Sequence, residues 1–464
     1  MSACTMRPSI LRSLIVAVVL LPVGSCSTSE ILDVTDPDIV DPAVVSSPAG
    51  ARALYTGAIG EFIVAIVGDN GGIEGQILTS GSFSDELMNS ETFPTRREYD
   101  VRSIDVRNGT LTTVFRNLQR SRFLLEASVA ALEQYSPTPA YQIGESFALA
   151  GMTYVFAGEN YCSGVPFSTP FPAPAAYGAP LTTSQIFTVA IERFDSALAI
   201  LNAADAADTV AQRRRNLARV GKARALLNRG EPGDFAAASA EAALVPEDFV
   251  YNLTHTDNSD RQRNGIFAFT AQNERFSVAD LDGGTGLDFR SANDPRVQYR
   301  RTFTINARGD TVRNVGFDNS TPQFDPLKYP NRTAPTPIAS GVEAKLIVAE
   351  NILSSGGTDW LDTLNALRAR RITPPLPALT DPGTVNGRVD LLFRERAFWN
   401  YLTGHRLGDM RRLLRQYGRT EDAVFPTGPY FKGGGAIFGD DVNFPVPFDE
   451  LNNPQFTGCL DRNP

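Results

Sequence analysis

The sequence predicts a mostly α-helical body interrupted by one long irregular insertion. Three observations predict it. Apolar residues recur at helical spacing in segments between residues 51 and 244, and again between 341 and 417. Gly and Pro clusters close those segments. Residues 245–338 lose that period and turn to Asn, Asp, Gly, Thr and Phe, with short strand-like pieces.

The elements follow in order. Arg7 and Arg12 flank the start of a short apolar run, Leu14 to Leu21, and Val23-Gly24-Ser25 precede Cys26. A basic start, a short apolar stretch and small residues before a cut form a secretory leader. A Cys directly after the small residues makes it a bacterial lipoprotein leader, cleaved before Cys26, whose thiol carries a diacylglycerol. The run is too short to span a bilayer. Residues 1–25 are therefore read as leader and 26–46 as a lipidated flexible tether, polar and poor in large apolar residues. The body is 47–464. Ala51–Val67 reads as its first helix and 79–105 as loop. Leu111–Tyr135, Tyr141–Glu159, Gln185–Asn202, Thr209–Arg229 and Asp234–Leu244 read as helices. Thr183-Ser184 caps the third of these, whose face is Ile186, Ala190, Ile191, Phe194, Leu198 and Leu201. In the insertion, Gly265–Thr270 and Arg301–Ile305 read as strands. Helices return at Gly341–Ser354, Trp360–Arg370, Gly387–Tyr401 and Arg406–Tyr417, before a loop tail from 421. Small residues (Ala148, Ala150, Gly151, Ala223, Ala225) sit where helices would cross closely. Helix pairs of this length resemble tetratricopeptide repeats.

Composition narrows the function. The net charge is −9 at pH 7, and loss of Arg7 and Arg12 makes the mature chain about −11. An acidic body without a basic stripe argues against nucleic acid or anionic lipid as the partner. Zinc-peptidase helices, Cys-x-x-Cys pairs, phosphate-binding Gly-rich loops and nucleophile elbows are absent from the sequence. His255 reads as a solvated loop residue and His405 as structural. Acidic loop pairs, Asp85-Glu86 and Asp280 with Asp282, are what a glycosidase would need. The run from Ala279 to Asp288 alternates carboxylates with Gly but lacks the closing Glu of an EF-hand, so Ca²⁺ stays open against a plain Gly-rich turn. Cys162 and Cys459 are an even pair in an exported chain, read as a disulfide with two buried thiols as the alternative.

The segment Leu392–Arg412, LFRERAFWNYLTGHRLGDMRR, resembles the C-terminal signature of the SusD/RagB family of outer-membrane nutrient-binding lipoproteins. Four further stretches agree in order: 145–168, 339–353 with its Ala349-Glu350 pair, 364–371, and the closing NFPVPFDELNNPQF at 443–456. The charges Arg394, Glu395, Arg406, Asp409 and Arg412, with Arg411, crowd a helix break and are expected to pin two helices together, with Asp409 reaching Arg412 at i+3. Phe393, Ala397, Phe398 and Tyr401 are the expected buried stripe, and Trp360 and Trp399 fall in helices as core.

The resemblance implies a SusD-like body: tetratricopeptide-like repeats at 47–244, a ligand-face insertion at 245–338, and C-terminal helices and tail at 339–464. It implies a cell-surface lipoprotein of the outer membrane. Such a protein captures an oligosaccharide or peptide nutrient and delivers it to a TonB-dependent, SusC-like transporter, without catalysis. Sugars are held by aromatic faces and planar polar side chains carried on loops. The candidates are Phe83, Asp85, Phe93, Arg97 and Tyr99 in the first loop region, and Phe289, Arg290, Tyr299 and Phe317 in the insertion. Two rival readings remain: a repeat scaffold for a protein partner, and a lipid-anchored glycoside hydrolase.

Overall fold

A computed structural model describes residues 46–170, 175–203, 207–460 and 462, all within one compact unit, Ala43–Pro464. The leader, Cys26 and the tether through residue 45 lie outside the described residues.

The first half of the body is a stack of helices. They are α1 (Pro48–Val67), α2 (Gln76–Phe83), α3 (Pro94–Asp100), α4 (Gly109–Tyr135), α5 (Tyr141–Asn160), α6 (Thr183–Asn202), α7 (Thr209–Arg229) and α8 (Asp234–Ala243). The insertion adds one helical turn, α9 (Gly265–Phe267). The second half contributes α10 (Gly341–Ser354), α11 (Trp360–Arg370), α12 (Val385–Trp399), α13 (Arg406–Tyr417) and a last turn, α14 (Glu421–Val424). The long helices pack in sequence: α1 on α4, then α4 on α5, α5 on α6, α6 on α7, and α7 on α8. α10 closes the stack against α8 and carries α11 on its other side.

Caps and small residues explain this order. Asn108, Asp208, Ser340 and Thr384 each accept a backbone N–H at the start of α4, α7, α10 and α12. The cap of α6 is Thr182, one residue before the expected pair, because Gln185 completes a reciprocal capping box with it. Glycine lets three helices meet at one ring. A Cβ at Gly151 of α5 or Gly221 of α7 would stand 2.8 or 2.4 Å from Phe194 of α6. The predicted face of α6 is buried along its length. One continuous core runs through the stack, and a smaller cluster of Leu346, Ala349, Trp360, Leu364, Leu367 and Leu392 joins α10, α11 and α12.

Strands occur as short antiparallel pairs, five of them among the described residues. β1 (Leu87–Asn89) pairs with β5 (Phe276–Val278), and β2 (Val165–Pro166) with β3 (Pro180–Leu181). β4 (Val250–Leu253) pairs with β10 (Thr336–Ser340), so the two ends of the insertion meet in one ribbon. β6 (Tyr299–Arg300) pairs with β9 (Asp325–Pro326), and β7 (Phe303–Ile305) with β8 (Thr311–Arg313).

Three local readings are corrected. Residues 79–105 are not loop: they hold most of α2, then β1 and α3, largely buried. These elements are too short and too polar to show a period. Their side chains are satisfied by distant chain, as Ser82 is by Asp100 at 2.7 Å. Gly265–Thr270 is α9 followed by a π turn, not a strand, because Asn264 accepts the Phe267 N–H and starts a helical turn. A short apolar run does not distinguish the two. His255 is buried, not solvated. Its Nε2 lies 3.1 Å from Thr336 Oγ1, and burial lowers its pKa to about 4.

Candidate functional site

The pairing of β1 with β5 brings the α2–α3 segment onto the insertion. Three large aromatics are left at the surface there. Phe93 is 52% exposed, Phe317 43% and Phe431 37%. A chain of ionic contacts connects the first two. Arg96 lies over the Phe93 ring at 5.2 Å and bonds Glu91 at 2.8 Å; Arg275 also pairs with Glu91 and lies over the Phe317 ring at 4.1 Å. Lys432 ties in the third. Its ammonium donates to the Glu91 carbonyl at 2.8 Å and pairs with Asp318 at 3.0 Å. Arg97 stacks over Tyr430 at 5.4 Å, and Tyr430 packs on Phe431 with centroids 4.5 Å apart. Each exposed ring thus rests on a fixed cation or a second ring, a rigid apolar platform in a polar frame.

Phe431 also borders a cavity of about 370 Å³. Met88, Leu281, Asp282, Thr427 and Pro429 share its wall. Gly283, at φ +58°, makes this wall possible, since a Cβ there would stand 2.5 Å from the Thr427 nitrogen. The carboxylates around it are quiet. Asp280 Oδ1 accepts from the Arg290 and Ser291 N–H groups and the Ser291 hydroxyl at 2.9–3.0 Å. Asp282 is buried, and burial, with Asp100 and Asp85 nearby, holds its carboxyl well above the usual range. Burial also raises Asp100, to about 7, against bonds from Tyr430 and Ser82. Asp318 goes the other way. Burial opposes its ionisation, yet the Thr321 hydroxyl and backbone bonds from Thr321 and Ser320 hold it at about 2. The arrangement can grip a largely neutral ligand with apolar faces and polar edges.

Of the candidate ligand residues, Phe93, Arg97 and Phe317 meet at this platform. Four others are corrected to core. Phe83 packs edge-on against Phe444 and Phe425, and Phe289 packs on Phe398 and Tyr401. Tyr99 stacks on Phe276, and Asp85 is the buried partner of Arg406. All four are fully buried and cannot touch a ligand. Arg290 and Tyr299 gather on Phe324 instead. Tyr430, Phe431 and Lys432 were not legible, because the tail carries no period; an aromatic pair and a lysine inside a Gly-rich loop were the available signal. Cys162 and Cys459 are joined by a disulfide across 297 residues. No group of three or more His, Cys, Asp or Glu side chains able to hold a metal occurs among the described residues.

The signature charges do not form one network; they radiate. Arg396 grips Asp409 with two bonds, at 2.8 and 2.9 Å, and Arg412 joins Asp409 at 3.1 Å and also pairs with Glu350 of α10. Arg406 grips Asp85 with bonds of 2.7 and 2.8 Å. Glu395 takes Arg296 and Arg368 at 2.6 Å each, and Arg394 pairs with Asp288. Arg411 donates to the Gly158, Glu159 and Tyr161 carbonyls at the end of α5. The α12–α13 corner therefore fastens α5, α10 and the insertion, more than the two helices expected.

No protein-family model matches the sequence, and no curated protein matches it. Solved structures do. A SusD homolog from Bacteroides thetaiotaomicron superposes with a TM-score of 0.66 at 13% identity, covering 89% of this chain and 97% of its own. The fold is SusD-like. A SusD-like protein from Bacteroides fragilis gives 0.62 at 14%, covering 91% and 99%. The surface glycan-binding protein A of Bacteroides thetaiotaomicron gives 0.64 at 11%, covering 90% and 100%. The SusD-like fold accounts for the helix pairs, and the platform lies on segments outside the helix stack.

Proposed function

We propose that this chain is a glycan-binding protein of the SusD type, holding its ligand at the Phe93–Phe317–Phe431 platform and the adjoining cavity. The observation that carries the reading is the platform itself: three exposed rings, Phe93 and Phe317 under Arg96 and Arg275 and Phe431 packed on Tyr430, beside a cavity. Sugar rings offer apolar C–H faces to such rings and hydroxyls to such rims. Similar structures described as glycan-binding support it. The proposed role is capture and hand-off without bond making. The leader supports Cys26 as the lipid anchor, and the resemblance to the SusD/RagB family supports the outer membrane as the site and a TonB-dependent SusC-like transporter as the recipient of the glycan or other oligomeric nutrient.

Calorimetric titration of the purified chain with a panel of oligosaccharides tests the binding reading. Saturable binding to at least one is expected, and no binding to any would refute it. Labelled palmitate tests the anchor. Incorporation is expected in cells producing the wild-type chain and not the Cys26→Ala chain; equal labelling of both would remove Cys26 from its role.

A further inference from the structure

Two cations beside the platform cavity have no ion partner. Arg290 and Arg301 lie on one ring, that of Phe324, with guanidinium carbons 3.9 and 4.8 Å from its centre. Tyr299 packs edge-on against the same ring at 5.5 Å and fixes it. Neither arginine makes an ion pair or a side-chain hydrogen bond among the described residues. Only their Nε atoms are sealed from solvent; their Nη atoms are open to it. The neighbouring carboxylates are engaged elsewhere. Asp325 pairs with Arg300 at 3.1 Å and Asp288 with Arg394. Asp280 fills Oδ1 with the Arg290 and Ser291 N–H groups and the Ser291 hydroxyl. Burial lowers the pKa of Arg290; Asp280 opposes this and Arg301 adds to it, so the two cations are close enough to repel. An anion lying on the pair relieves that repulsion.

The pair borders the platform cavity. The Val278 N–H donates to the Phe324 carbonyl at 3.0 Å, and Ala279 and Asp280, next in the chain, line the cavity. We propose that this pair selects glycans whose rings carry a carboxylate or a sulfate. That preference rests on the glycan reading above and narrows it. The sugar rings lie on the platform, and one anionic substituent meets the Nη atoms of Arg290 and Arg301, whose planar forks match an oxyanion. An acidic substituent on an otherwise neutral chain suits both the platform and the pair. The net charge of −9 does not forbid it. Exposed charge farther off than a Debye length, about 8 Å at physiological salt, is largely screened.

Calorimetric titration of the purified chain with matched ligands is the test: galacturonate oligomers against their methyl esters, and sulfated galactose oligomers against unsulfated ones. The two arms distinguish carboxylate from sulfate. At least one acidic member is expected to bind about tenfold tighter than its neutral counterpart at low salt, the usual worth of hydrogen bonds to a charged group. High salt is expected to remove most of that advantage. In the Arg290→Gln, Arg301→Gln double variant the ratio of acidic to neutral affinity is expected to fall to about one. Thermal melts establish that the variant folds; if it does not, the single Arg301→Gln variant decides, with the ratio cut about threefold. Neutral members that bind as tightly as the acidic ones overturn the preference and leave the glycan reading standing. If no oligosaccharide of either kind binds, both fall. A folded variant that keeps the wild-type ratio overturns the preference equally.

Discussion

Asp409 stands between two buried guanidiniums, Arg396 and Arg412, and neither reaches water. Removing its charge takes from Arg396 the partner of both its hydrogen bonds and leaves Arg412 with Glu350 as its remaining ion-pair partner, in a low-dielectric interior. Breaking a buried pair on one side costs about 3–5 kcal/mol. Asp409→Asn is therefore expected to lower unfolding stability by about that amount in urea titrations, with glycan affinity intact in the folded fraction. Glu86 makes a pH prediction. Burial pushes its carboxyl up to about 8, against the Leu402 N–H bond and with Asp85 adding to the rise. A carboxyl whose folded pKa lies above its unfolded value, 4.5, contributes most below that value. Its contribution is lost as pH climbs through about 8. Urea midpoints should fall from pH 5 to pH 8 in the wild type, by more than in Glu86→Gln, with a difference of about 1 kcal/mol or more. At this scale the sequence showed which residues were charged and close in the chain, so the Asp409–Arg412 pair at i+3 was legible. Asp85 and Arg406 meet across 321 residues. No local rule links such a pair, which is why Asp85 passed for a ligand residue.

Helices long enough to repeat their apolar face announced themselves. α7, α10, α11 and α13 begin and end where periodicity and caps placed them. α2 and α3 did not, at 8 and 7 residues. Two turns carry too little pattern, and what keeps them helical is burial under chain from elsewhere. The tail beyond α14 is the extreme case, since Phe444 and Tyr430 are buried without belonging to any helix. The Cys162–Cys459 bond fixes that tail to the end of α5. Removing a native disulfide of this kind costs about 2–5 kcal/mol. Cys459→Ser, or reduction of the wild type, is expected to lower the melting temperature by several degrees. Identical melts of reduced and oxidised protein would show the bond to be idle.

The whole molecule divides its labour. A stack of paired helices, locked by the α12–α13 corner, supplies stiffness, while segments outside the stack carry the rings proposed to meet a ligand. Because Phe93, Phe317 and Phe431 are exposed, truncating them should leave stability within about 0.5 kcal/mol each. Each single Phe→Ala change is expected to weaken glycan binding several-fold, on the order of 1 kcal/mol per ring. The measurement closest to the central claim is electrophoretic retardation of the purified chain in native gels cast with a panel of polysaccharides, run beside the Phe93→Ala, Phe317→Ala, Phe431→Ala triple variant. The account predicts that at least one polysaccharide retards the wild type, and that the triple variant migrates freely at an unchanged melting temperature. A wild type that no polysaccharide retards, or a folded triple variant retarded as strongly as the wild type, would contradict it.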